Sequence, residues 1–143
     1  MTATAAPSDA AAAPSKGLNI ALWIVQALLA AAFGFAGFGK LTAPIAELAP
    51  RMAWVTAMPP GVVRFIGASE LAGALGLLLP SLTRIQPRLS ALAGAGLATI
   101  MVLAAAFHIS RGEIRFLGMN LGLGALAAFV AWGRFKKAPL AAR

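Results

Sequence analysis

Proton transfer or ligand binding is the chemistry that the reactive residues of this sequence could support. Glu70 lies within a long apolar stretch, Lys40 closes another, and His108, the only histidine, lies near the end of a third. A histidine titrates near neutrality, and a glutamate removed from water can do so as well. Glu70, His108 and Lys40 are therefore candidates for a proton relay or a ligand pocket, with an ion pair between helices as the structural alternative.

Composition excludes several other kinds of site. The 143 residues contain no cysteine, which removes disulfides, thiolate metal sites and iron–sulfur clusters. One histidine cannot supply two haem ligands or a metal-binding cluster, so no metal site is expected. The net charge is +8, but the basic residues are scattered between apolar runs, which argues against nucleic-acid binding. No cofactor motif is evident, and a quinone is the candidate redox ligand.

Long uncharged runs indicate how these residues are positioned. The chain is 60% hydrophobic and 11% charged, whereas soluble domains carry about 25% charged residues. The runs after Lys16, Arg88 and Arg115 contain 23, 22 and 18 uncharged residues, and a bilayer core needs ~20 residues of helix. Short links then force neighbouring helices to be antiparallel. The sequence predicts an all-α integral membrane four-helix up-down bundle with spans at about 19–39, 61–80, 89–110 and 116–133.

The link between the first two spans is the longest of the three. Within it Ile45, Leu48, Met52 and Val55 recur at helical spacing, which predicts a short interfacial helix kinked or restarted at Pro50. The alternative is an irregular loop packed over the mouth of the bundle.

The ends of the chain and its basic residues predict a topology. Residues 1–15 are rich in Ala, Pro, Ser and Thr and are expected to form a disordered tail, and residues 138–143 a short C-terminal one. The first span is too long for a signal peptide and is expected to stay as an anchor in the lipid bilayer. Seven basic residues fall on the side of the termini and five on the other, so the termini are predicted to be cytoplasmic.

Glycines are the predicted contacts between the helices, because membrane helices pack through small residues. Gly37, Gly67 and Gly73 lie in the first two spans, and Gly118 and Gly122 form a GxxxG pair in the fourth. The alternative for the GxxxG pair is composition alone, since the chain is rich in alanine and glycine.

The same small residues predict that the ionisable groups meet. Glu70 lies about 9 Å beyond Arg64 along a helix, inside the hydrocarbon region, and its neighbours Gly67 and Gly73 point it toward another helix. Lys40 and His108 also follow small residues near the same membrane boundary. We therefore predict one pocket formed by Lys40, Glu70 and His108, with Arg111, Glu113 and Asn120 as its walls.

Three segments of the sequence resemble the DoxX-like family of small membrane proteins over about residues 18–135. They are Gly37-Phe38-Gly39-Lys40-Leu41, then Glu70-Leu71 with Gly73, Gly76-Leu77 and Pro80, and Phe107-His108-Ile109-Ser110-Arg111-Gly112-Glu113. The resemblance implies a four-helix domain over residues 16–137 in a bacterial cytoplasmic (inner) membrane. It also implies an association with thiosulfate:quinone oxidoreduction or with thiol and oxidative stress complexes. The lack of cysteine argues against direct thiol chemistry.

Two functions are consistent with these features. In the first, the chain is a non-catalytic membrane subunit or scaffold for a redox or stress-response partner, and the ionisable residues hold its helices together. In the second, they line a pocket for a small anionic or quinone-like ligand, with Glu70 and His108 passing a proton. The lack of a recognisable electron carrier favours the first. Candidate partners are a membrane or peripheral redox protein and a second copy of the chain.

Overall fold

Helices make up most of the computed structural model, which describes residues 12–143. The α-helices are α1 (Lys16–Thr42), α2 (Ile45–Leu48), α3 (Pro60–Thr83), α4 (Arg88–Ser110) and α5 (Leu117–Trp132). Turns of 3₁₀ helix occupy Ala53–Ala57 and Ile114–Phe116, and a π-helical turn, Gly133–Lys137, continues α5. Most of the tail predicted over residues 1–15 lies outside the described residues.

Four of these segments within residues 12–143 are long and apolar enough to cross a membrane. They are α1, α3, α4 and the segment Ile114–Lys137, and they contain 23 to 27 residues each. At 1.5 Å per residue even the shortest extends about 34 Å, more than the bilayer core. The predicted four-span all-α bundle is confirmed. The observed helices extend beyond most of the predicted limits because their charged and polar ends add turns outside the apolar runs.

Close backbone contact joins α1 to α3. A Cβ atom added at Gly37 would lie 2.7 Å from the carbonyl oxygen of Gly67, and one added at Gly67 would lie 2.8 Å from that of Gly37. Gly73 lies against Leu97 of α4, where an added Cβ would approach a leucine methyl to 2.6 Å. These three glycines lie at helix contacts, and the buried side chains Leu29, Phe33, Ala74, Leu77 and Leu97 fill the space between the helices.

The GxxxG pair of α5 makes no such contact. No atom of residues 12–143 outside the local chain lies within 4 Å of a Cβ built at Gly118 or Gly122. Their predicted helix-packing role is therefore not seen within the described chain, because this face of α5 points outward. Helix α5 contacts α4 through Ala127 instead. A Cβ atom added at Gly94 of α4 would lie 2.9 Å from the carbonyl oxygen of Ala127.

The link between α1 and α3 forms a cover over one end of the bundle. The helix predicted there is a single turn, α2, because Pro50 follows it and the chain resumes as the 3₁₀ turn Ala53–Ala57. Leu48 and Val55 are buried with Val63 of α3 and hold the cover in place. The link thus combines a short helix with the irregular loop that was its alternative.

A buried polar network ties the four spans together at the opposite end. Gln26 of α1 donates to Ser81 of α3 over 3.0 Å, and Ser81 donates to Ser90 of α4 over 2.7 Å. Arg134, in the turn after α5, donates through Nε to Gln26 and through Nη1 to Asn19, each over 2.7 Å. Arg134 is only 3% exposed, so this basic residue on the side of the termini is buried within the network and not solvated.

Candidate functional site

The covered end of the bundle contains a cavity of about 590 Å³. Its walls come from the last turns of α1, the first half of α3, the second half of α4, the start of α5 and the link. Aromatic and aliphatic side chains dominate these walls, among them Phe33, Trp54, Phe107 and Phe116. The polar and charged side chains that line the cavity are Lys40, Arg51, Ser69, Glu70, His108 and Asn120.

Lys40 and Glu70 form an ion pair across the contact between α1 and α3. Lys40 Nζ lies 2.6 Å from Glu70 Oε2, and the two side chains are 7% and 5% exposed. The close approach of Gly37 and Gly67 brings the helices together here, one turn before each charged residue. Arg64 donates to the carbonyl oxygen of Lys40 at the end of α1. The pair offsets two charges that the membrane interior would otherwise penalise.

His108 is bonded to Glu113 at the edge of the cavity. Nδ1 of His108 donates to Glu113 Oε2 over 2.7 Å, and Arg111 Nε donates to the other carboxylate oxygen over 3.0 Å. The left-handed backbone of Gly112, with φ of 70°, turns the chain so that Glu113 returns to His108. With Nδ1 occupied, Nε2 is the ring nitrogen left for a ligand.

Both hydrogen bonds favour the charged form of Glu113. They lower the pKa of its carboxyl below the ordinary 4.5, the bond from His108 first and that from Arg111 second. The carboxylate therefore holds the His108 ring in one orientation and one tautomer.

Asn120 brings an unpartnered donor to the cavity wall. The residue is 3% exposed, and its Nδ2 has no hydrogen-bond partner among residues 12–143. A buried amide N–H left without an acceptor costs about 1 to 3 kcal/mol. A ligand oxygen that reached this nitrogen from the cavity would remove that cost.

The structure brings together most of the predicted site residues. Lys40, Glu70, His108 and Asn120 line one cavity, but His108 pairs with Glu113 while Glu70 pairs with Lys40. Arg111 and Glu113 do not line the cavity; they lie behind His108, where the Arg111 side chain is 40% exposed.

Sequence reasoning did not assign Arg51, Trp54 and Ser69 to the site. Arg51 and Trp54 come from the link, three residues apart, and Trp54 lies over Lys40, with Nζ 5.9 Å from its ring centroid. Ser69 directly precedes Glu70, and that adjacency was the available signal. Within residues 12–143, no three His, Asp or Glu side chains are placed to hold a metal ion.

Comparison with known proteins gives one family match. A model described as the DoxX-like family matches residues 24–130, a range that reaches from α1 to α5 and includes the cavity. No curated protein sequence and no solved structure gives a significant match.

Proposed function

The chain belongs to the DoxX-like family and is a multi-pass membrane protein, and from this premise we propose that it binds a small quinone-like ligand in the cavity. The observation that carries the proposal is the unpartnered Nδ2 of Asn120, a buried residue that lines the cavity. The cavity volume of about 590 Å³ falls within the range of about 300 to 1,000 Å³ for small-molecule sites.

The donor set defines the chemistry of the ligand. Asn120 Nδ2 needs an acceptor and Lys40 supplies an ammonium group, while Nε2 of His108, in the neutral ring that donates to Glu113 through Nδ1, is an acceptor for a hydroxyl such as that of a quinol. A carbonyl or anionic oxygen meets this requirement, while the remaining walls are apolar and aromatic. A planar ring with carbonyl oxygens satisfies both conditions, which supports a quinone in preference to a free inorganic anion.

Proton exchange is the step that the residues of this chain would perform. Reduction of a quinone to a quinol takes up two electrons and two protons; in this proposal Glu70, a carboxylate in its pair with Lys40, and His108 each take up one proton from water and pass it to the quinone. In this proposal the electrons come from a membrane or peripheral redox protein, and the chain is the membrane subunit of that partner.

A purely structural role is the second candidate. The Lys40–Glu70 pair joins α1 to α3 at their closest approach, which is what a scaffold without a ligand would also require. This hypothesis predicts lower stability when the pair is broken and no ligand bound by the intact protein.

Replacement of Asn120 by leucine tests the ligand proposal. Leucine is similar in size to asparagine but has no hydrogen-bond donor. We therefore expect quinone affinity to fall about tenfold, while thermal stability is kept or raised because no buried donor is left without a partner. Binding of a benzoquinone probe to protein in lipid nanodiscs measures the first effect. Thr99→Val is the matched control, because Thr99 is an exposed polar residue of α4 that does not line the cavity. Unchanged affinity in Asn120→Leu contradicts the proposal.

The compartment and orientation are also proposals. We infer a bacterial cytoplasmic membrane with both termini inside, supported by the excess of basic residues on that side. The charge of Lys40, on the opposite side, is offset by Glu70, which adds to this asymmetry.

A further inference from the structure

An open groove runs along the outer surface between α3 and α4. It has a volume of about 450 Å³, and it is lined by small residues of both helices together with larger aliphatic side chains of α4. At its base the helices touch, since a Cβ added at Gly76 would lie 2.9 Å from that of Ala93. A Cβ at Gly96, by contrast, would meet no atom within 4 Å among the described residues, so the groove is open above this position.

The groove and the cavity meet at two residues. Ser69 of α3 and Ile100 of α4 line both spaces, so the groove lies next to the site already described. From there it extends to Pro80, eleven residues farther along α3, a length of about 16 Å.

The surroundings of the groove are apolar. Leu75, Leu79 and Leu92 are 51%, 52% and 54% exposed on the same two helices, within the part of the chain that spans the bilayer. Hydrocarbon is the surrounding medium at this depth, so a hydrocarbon chain is what the groove can accept.

These observations define the class of ligand more narrowly. The inference drawn from them rests on the proposed function. We propose that the ligand is an amphiphile whose polar head lies in the cavity and whose apolar chain leaves between Ser69 and Ile100 to lie in the α3–α4 groove. The two residues that the neighbouring spaces share and the unpartnered Nδ2 of Asn120, a residue that lines the cavity, together support one molecule with two unlike ends.

This arrangement also gives the ligand a route from the bilayer. The head moves sideways into the cavity while the chain stays in hydrocarbon throughout, so the chain is never transferred into water. Discrimination by the head comes from the donors in the cavity, and discrimination by chain length comes from the groove.

Gly96→Leu tests the groove without touching the cavity. The leucine side chain would occupy the open space above the groove floor, and a steric overlap of this kind should weaken binding about tenfold. The probes are a benzoquinone without a chain and the same ring with a long isoprenoid chain, bound to the full chain in lipid nanodiscs. We expect lower affinity for the long-chain probe and unchanged affinity for the chainless ring.

Gly122→Leu is the matched control, because Gly122 is an equally open helical glycine that lines neither space. It should change neither affinity. Ala72→Leu, on the opposite wall of the groove, provides a second variant if Gly96→Leu lowers thermal stability. Unchanged long-chain affinity in both groove variants overturns the groove proposal and leaves the cavity proposal standing. If the wild-type protein binds neither probe, both proposals fail.

Discussion

Lys40 on α1 and Glu70 on α3 form a buried ion pair with 2.6 Å between Nζ and Oε2. The two residues are thirty positions apart in the sequence, and the contact of Gly37 with Gly67 one turn earlier makes their meeting possible. Each charge is compensated by the other in a region of low dielectric. The pair is therefore both a helix contact and part of the wall of the cavity.

Removal of one member of this pair should destabilise the bundle. In Glu70→Gln the Lys40 ammonium group keeps its charge without a partner, and breaking a buried pair in this way costs about 3 to 5 kcal/mol. The double variant Glu70→Gln/Lys40→Met should recover much of that loss, since no unpaired charge remains. Thermal unfolding in nanodiscs measures both variants, and Glu47→Gln, at an exposed acid of α2, is the control. Equal stability of wild type and Glu70→Gln would show that the pair contributes nothing to folding.

The Gly37–Gly67 crossing should not tolerate a side chain. In Gly37→Ala the new methyl group would lie 2.7 Å from backbone atoms of Gly67 and Leu71, so α1 and α3 must separate, at a cost of about 1 to 3 kcal/mol. Gly39→Ala is the control on the same helix, because its Cβ would meet no atom within 4 Å in the described chain. Unfolding temperatures compare the two variants. If Gly39→Ala lowered the unfolding temperature as much as Gly37→Ala, the loss of stability would not come from the Gly37–Gly67 crossing.

Acidification should weaken the loop around His108. Hydrogen bonds from His108 and Arg111 lower the pKa of Glu113 in the folded protein, so its stabilising contribution is complete above the ordinary value of 4.5. That contribution is lost as the pH falls from 4.5 through the lowered folded-state value, because the carboxyl then takes up a proton. Unfolding followed as a function of pH should show this acid-dependent loss in the wild type and a flatter profile in Glu113→Gln. Ser110→Ala, a neutral exposed change in the same loop region, should keep the wild-type profile.

The predicted orientation can be tested by thiol labelling, because the sequence contains no cysteine. Arg115→Cys and Lys137→Cys place single thiols at exposed positions near opposite ends of the fourth span. With cytoplasmic termini, a membrane-impermeant maleimide should label intact bacterial cells only at position 115 and should label permeabilised cells at both. Labelling of intact cells only at position 137 would show that the termini lie outside the cytoplasm.

Local features of the sequence determined the membrane fold. The number of spans follows from the length of each apolar run against the thickness of a bilayer, and the antiparallel order follows from short links. Neither property depends on which helix contacts which. The types of residue at the site could also be identified from the sequence, since Glu70 is an acidic residue inside an apolar run.

Only the tertiary structure decided the pairing of those residues. The rotation of each helix about its axis depends on contacts with distant helices, so the sequence could not show that Glu70 meets Lys40 while His108 bonds to Glu113. For the same reason Gly118 and Gly122 point away from the other helices despite their GxxxG spacing. Arg134 is buried with Gln26, a partner 108 positions away, and no local pattern identifies that contact. Span length is a property of one segment, whereas a site is a property of several packed together.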